Sequence, residues 1–266
     1  LALHHKGYKV SGSDNEIFEP SRSRLDAFGL LPGSLGWFPE KITPDLDAVI
    51  VGMHARIDNP ELIRAKEIGL PVYSFPEYLY EQTRHKTRVV IGGSHGKTSI
   101  TAMILFVLKK QGIRFDYMVG AQIEGFDTMV GLSNDASIAV FEGDEYLTSP
   151  IDLRPKFHLY KPHIALVSGI AWDHINVFPT FDNYVEQFRI FSDLIEPDGY
   201  FVYFDGDVNL RNIAGRLRSD ITPVPYNTHP YRVENTQTVL ETPDGECPIH
   251  LFGEHNLQNM NGARLV

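Results

Sequence analysis

The stretch VIGGSHGKTSITAMI, residues 90–104, passes from a short apolar segment through two glycines into Ser-His-Gly-Lys-Thr-Ser and then into a helix-like apolar pattern. A loop of this kind can hold phosphate. Glycines let the backbone turn tightly and aim N–H groups inward, a helix N-terminus adds partial positive charge, a lysine reaches terminal phosphates, and a Ser or Thr hydroxyl can ligate Mg²⁺. Gly93, Ser94, His95, Gly96, Lys97, Thr98 and Ser99 are the residues placed for that work. The spacing is not the common G-x-x-x-x-G-K-[ST], because position 91 is Ile. A Gly-rich strand-to-helix turn with an incidental lysine is the plainer alternative.

Two further segments could serve the same ligand. In AVFEGDEY, residues 139–146, an apolar strand pattern ends in Glu142, Asp144 and Glu145. Open parallel sheets bind ligands at the carboxyl ends of their strands. One of these acids can therefore complete a Mg²⁺ shell begun by Thr98, since Mg²⁺ takes oxygen ligands and substrate phosphates. In SGIAWDHINVF, residues 168–178, Asp173 and His174 offer another metal ligand, because neutral imidazole binds divalent ions. A lone Asp-His pair is also a common surface or helix-cap feature, and tandem His4-His5 reads as a solvated helix end.

The elements that must position these residues alternate along the chain. Residues 1–83 give a helix tail at 1–5, strands at 8–11, 48–52 and 72–74, and helices at 21–28 and 60–68, the last with Pro near its start and Gly69 after its end. Residues 81–88, EQTRHKTR, read as a linker. A second α/β unit, residues 89–266, has strands at 89–91, 117–119, 138–141, 164–167 and 200–204, a helix over 98–111 that stops at Gly112, and an antiparallel patch within 221–252. Strands separated by helices predict parallel sheets. The opening looks like a unit entered in mid-helix and the end like a helix cut short, so we expect this to be a fragment.

Composition narrows the function. With 266 residues, 42% of them hydrophobic, the chain can build one large core or two smaller ones. A net charge of −10 and a pI near 5.5 argue against a general nucleic-acid binder, which needs a Lys/Arg excess to neutralise phosphates. The single cysteine, Cys247, cannot form an internal disulfide, which fits a reducing compartment. No run reaches the ~18 apolar residues of a membrane span and no signal peptide is visible.

GGSHGKTS, EGDEY, AWDH and GEHNLQN occur in the order and at roughly the spacing found in the Mur ligases, and the chain resembles that family over essentially its whole length. GYKVSGSD and DAVIVGMHARIDNPEL are similar to segments of the family's UDP-sugar-binding domain. The resemblance implies an α/β protein: a Rossmann-like N-terminal domain (1–83) lacking its first strand, then a central ATP-binding domain (89–266), with the C-terminal domain absent. It implies that Gly93, Gly96 and Lys97 hold ATP phosphates, that Thr98 and Glu142 bind one Mg²⁺ and His174 a second, and that His255, Asn256 and Asn259 lie near the adenine. Ser13 and Asp14 would sit by the uridine end of the acceptor. Gly169 stands where relatives carry Asn, and residues 175–195 contain no lysine, in keeping with the branches that do not use a carbamylated lysine there.

The family's chemistry is ATP-dependent amide-bond formation through an acyl phosphate, with Lys97, Glu142 and His174 as the implied catalytic groups, in the bacterial cytoplasm. EGDEY, RPKFHLY, DGDVNL and GEHN favour the branch that joins the recycled tripeptide L-Ala-γ-D-Glu-meso-diaminopimelate to UDP-N-acetylmuramate; the alternative donor is L-alanine. Tyr146, Arg154 and Lys156 are then expected at the cleft rim, where Arg can grip peptide carboxylates. A switch or transport NTPase is the alternative from a different class. Neither nucleic acid nor membrane is an expected partner.

Overall fold

The computed structural model describes residues 1–53, 56–149, 151–173 and 177–266. Short helices α1 (Ala2–His5) and α2 (Ser21–Ala27) precede a parallel pair, β1 (Val49–Val51) and β2 (Val72–Ser74), joined through α3 (Pro60–Glu67). Asn59 caps α3 by accepting from the Glu61 and Leu62 amides, and the helix buries Leu62 and Ala65. Ser74 and Glu77 form a reciprocal capping box at the start of α4 (Phe75–Thr83). The strand expected at residues 8–11 is not formed. The Tyr8 amide is spent on Leu3 O at the end of α1, and this segment pairs with no strand among the described residues.

The expected linker at 81–88 is shorter than its polarity suggested. Residues 81–83 belong to α4, and β3 (Thr87–Gly92) begins at Thr87. Arg88 explains this. Its side chain is 1% exposed, and it donates to the carbonyls of Tyr160, Lys161, Thr83, Arg84 and Lys86 and to Glu196 Oε1 at 2.7 Å. A charge that looked solvated in the sequence is the hub of the junction, tolerated in a buried place because every guanidinium nitrogen has an acceptor and Glu196 supplies the opposite charge.

After β3 the chain forms α5 (Lys97–Lys110), β4 (Phe115–Met118), β5 (Val130–Gly131), β6 (Ile138–Glu142), the hairpin of β7 (Leu147–Ser149) and β8 (Asp152–Pro155), and β9 (Ile164–Val167). Then come α6 (Phe181–Asp193), β10 (Tyr200–Phe204), α7 (Val208–Ala214), β11 (Thr222–Tyr226), the strands β12 (Tyr231–Glu234), β13 (Gln237–Thr242) and β14 (Gly245–Ile249), and α8 (Glu254–Leu265). The main sheet has the order β11-β10-β9-β3-β6-β4-β5, all parallel except β5. The antiparallel patch expected from residue 221 starts only at Tyr231. β11 pairs in parallel with β10, and as an edge strand it tolerates Pro223 and Pro225.

Alternation along β3 builds a core on each face. Val90 joins Phe141, Phe157, Tyr184, Phe188 and Phe191 on the α6 side. Val89 and Ile91 join Ile100, Ile104, Leu105 and Tyr226 on the side covered by α5 and α8. Among the described residues, no helix is long and apolar enough to cross a membrane.

Candidate functional site

β3 lies at the centre of the sheet, so its carboxyl end opens between those of β6 and β9. Gly93 and Gly96 form the turn, with φ of +122° and +83°. A side chain at Gly93 would run into Ser168 Oγ, and a Cβ at Gly96 would lie 2.5 Å from Asn259 Oδ1. Both positions combine a left-handed backbone with a close neighbour, which glycine alone accommodates. Gly96 is the N-cap of α5, whose first-turn amides have no acceptor within the helix.

Lys97, 13% exposed at its side chain, folds back over the loop. Its Nζ donates to Gly93 O at 2.7 Å and to Glu145 Oε2 at 2.8 Å. Thr98 Oγ1 donates to Glu142 Oε1 at 2.8 Å, while Glu142 Oε2 accepts from the Gly120 amide at 2.8 Å. The strand-end acid and the loop hydroxyl expected to share a cation are therefore adjacent. Two hard oxygen donors beside a helix N-terminus fit Mg²⁺ held between protein and phosphate. Among the described residues no group of three or more His, Cys, Asp and Glu could hold a metal alone. His174, implied as the second metal ligand, falls outside the described residues, and Asp173 beside it is exposed.

Other expected residues divide. Ser94 is drawn into the site: its Oγ donates to Ala171 O at 2.7 Å, accepts from the Ala171 amide at 2.9 Å and contacts Tyr184 OH at 2.9 Å. His95 and Ser99 are exposed at the mouth, with His95 O taken by Ser168 Oγ. Asn259 is buried against Gly96, whereas His255 and Asn256 stand exposed on the first turn of α8. Lys156 Nζ meets Asp144 Oδ2 at 3.1 Å and lies over the Tyr146 ring at 4.2 Å. Burial, reinforced by Asp144, pushes the Tyr146 hydroxyl well above its ordinary pKa. Arg154 is not joined to that cluster. Its guanidinium is held by Asp152 and, across from α4, by Glu77, both at 2.7 Å. Ser13 and Asp14 line a separate cavity of about 410 Å³ with Val10, Ile17, Phe18 and Leu25, and no loop residue reaches it.

Several site residues carry no signature in the sequence. Glu145 stood among three acids without a role of its own. Tyr184, fully buried on α6, donates to Glu145 Oε1 at 3.1 Å. Asp207 caps α7 and accepts from the Ile170 amide at 2.7 Å, fixing the turn after β9.

Comparison with known proteins agrees with this architecture. Residues 91–266 match the family model described as the Mur ligase middle domain. The UDP-N-acetylmuramate–L-alanine ligase of Carboxydothermus hydrogenoformans is 30% identical over 280 residues, covering 99% of this chain and 57% of that protein. The corresponding ligase of Limosilactobacillus reuteri is 32% identical over 274 residues, covering 97% and 57%. The chain thus spans little more than half the length of these relatives. Among solved structures, the UDP-N-acetylmuramate:L-alanyl-gamma-D-glutamyl-meso-diaminopimelate ligase from Neisseria meningitides superposes with a TM-score of 0.83 at 22% identity, over 97% of this chain and 85% of that one, which shows a shared fold. Matched by that family model over residues 91–266 and 30–32% identical to these ligases over nearly its whole length, the chain belongs to the Mur ligase family.

Proposed function

We propose that the protein of which this chain is part is an ATP-dependent ligase that joins UDP-N-acetylmuramate to an amine donor in the bacterial cytoplasm. The observation that carries this reading is the contact between Thr98 Oγ1 and Glu142 Oε1 beside the Lys97 ammonium, at the open end of β3. In this reading residues 1–83 bind the UDP-sugar, with Ser13 and Asp14 by the uridine, and residues 89–266 bind ATP. Thr98 and Glu142 would hold Mg²⁺, which supplies charge neutralisation where two anionic reactants meet. Lys97 and the α5 amides bind and orient the terminal phosphates while the acceptor carboxylate attacks. ADP leaves as the acyl phosphate forms; the donor amine then attacks the acyl carbon, the C–O bond to phosphate breaks, and inorganic phosphate departs as the amine gives up a proton. Asn259, wedged against Gly96, holds the loop toward α8, where His255 and Asn256 face the adenine.

The donor we favour is the tripeptide L-Ala-γ-D-Glu-meso-diaminopimelate. Support comes from the EGDEY and RPKFHLY segments and from the Lys156–Tyr146–Asp144 cluster they form at the strand end. L-alanine is the second reading, favoured by the 30% and 32% identity to L-alanine ligases. Phosphate release by the full-length enzyme, measured with UDP-N-acetylmuramate and each donor in turn, separates the two. Turnover of ATP with neither acceptor nor donor would instead indicate a switch or transport NTPase.

A further inference from the structure

Lys97 is not waiting free for a phosphate. Two of its three ammonium donors are already used within the protein, on Gly93 O and on Glu145 Oε2. The pair with Glu145 is largely shielded, the two side chains being 13% and 1% exposed. Glu145 cannot follow the lysine if it moves. Its other oxygen accepts from Tyr184 OH at 3.1 Å, and Tyr184 has no exposed surface, lying among Phe157, Phe178 and Phe188. Tyr184 OH also contacts Ser94 Oγ, which is tied to both the amide and the carbonyl of Ala171. Glu145 is therefore clamped from the side opposite the lysine, by a chain of contacts that runs through the loop itself.

We propose that Glu145 is a positioning residue that competes with the nucleotide for Lys97. This rests on the reading of the loop as an ATP site and concerns what that site must give up on binding. A phosphate in the cradle recruits the ammonium only by taking it from a fixed carboxylate, so part of each lysine–phosphate contact replaces an existing one. The surrendered contact is a charge-assisted hydrogen bond in a buried place, where such bonds are strongest. Glu145 thereby lowers affinity for ATP and keeps Lys97 compensated while the site is empty, which a buried ammonium needs. Glu142 is not the competitor, because its oxygens face Thr98 and Gly120 instead.

The test is calorimetric titration of ATP, with Mg²⁺ and again in EDTA, into the full-length protein and its variants. Glu145→Gln keeps the shape and removes the charge, and it should bind ATP about tenfold more tightly, the lower end for one charged hydrogen bond. In turnover the same variant should show a lower KM for ATP with no rise in kcat. In a Lys97→Met background the substitution should change affinity less than twofold, because the competition has no object. Glu145→Asp, which withdraws the carboxylate but keeps its charge, should gain a few-fold and carries the test if the Gln variant does not fold. Unchanged or weaker ATP binding in a folded Glu145→Gln protein overturns the inference. So does an equal gain in the Lys97→Met background, which would mean plain charge repulsion. Wild-type protein that binds no ATP at all would instead remove the reading of the loop on which this rests.

Discussion

Replacing Gly96 by alanine tests the loop–helix contact directly. Two costs are expected. At φ +83° an L-residue is strained by about 1–2 kcal/mol. The new Cβ would also lie 2.5 Å from Asn259 Oδ1 and 3.0 Å from its Cγ. Asn259 is 9% exposed on α8, so moving it means shifting packed structure, for about 1–3 kcal/mol. Alanine restricts the unfolded chain and returns about 0.4–1 kcal/mol. The net loss is about 2–3 kcal/mol, or roughly 5–10 °C in Tm for a chain of this size. Gly112→Ala is the control: φ is +67° and the space around it is open, so only the backbone cost of about 1 kcal/mol applies. Urea unfolding of Gly96→Ala alone and with Asn259→Ala separates the parts. Measured against Asn259→Ala alone, the added Gly96→Ala should lose its steric share and cost about as much as Gly112→Ala. If Gly96→Ala costs the same whether or not Asn259 is present, the close approach of α8 to the loop is not what fixes glycine there.

Three other outcomes follow from the same geometry. Lys97→Ala in the full-length enzyme should lower turnover at least about 100-fold, since one preorganised charge at a developing anion is commonly worth that much, and should also lower Tm, because it leaves the Glu145 carboxylate buried without its cation; wild-type activity in protein that circular dichroism shows to be folded would remove the lysine from the phosphate site. Glu142→Gln should raise the Mg²⁺ concentration needed for half-maximal rate and leave UDP-acceptor binding nearly unchanged, and equal loss of both in titrations would count against a metal role. Burial holds the His158 pKa below its ordinary value, so the folded state resists protonation. The stability this gives is complete above the unfolded pKa of about 6.5 and is lost as pH falls from there through the folded pKa. His158→Gln should flatten the dependence of unfolding free energy on pH below about 6.5, and an unaltered slope would assign it to other groups.

How much of this was legible depends on distance along the chain. The β3–loop–α5 unit is local, and its glycines, lysine and apolar period can be read from adjacent residues. The same holds for β6 ending in Glu142. The failures are places where a tertiary partner decides. Residues 8–11 have strand-like composition but no partner strand among the described residues, and the Tyr8 amide goes to a helix end. Arg88 has the composition of a linker residue and becomes buried through carbonyls brought from residues 160–161. Glu145 could not be told from Asp144 by sequence. What separates them is which cation each meets, Lys97 or Lys156, and Tyr184 arrives on a helix whose spacing reports only that one face is apolar.

The central place of β3 bears on how the chain reaches its native state. Its neighbours are β6, paired from Thr87 with Ile138, and β9, paired from Val89 with Ile164. Both arrive later in synthesis than the loop they frame. Until residue 167 has left the ribosome, TRVVIG is an apolar strand with at least one bare edge, the arrangement most open to pairing with another chain. Closing it requires long-range contacts whose loop entropy is met before any reward, which slows folding. The lysine that would grip phosphate is made early, but the carboxyl ends that surround it meet only when the sheet is nearly complete. A nascent chain therefore carries the loop's sequence well before it carries the loop's site.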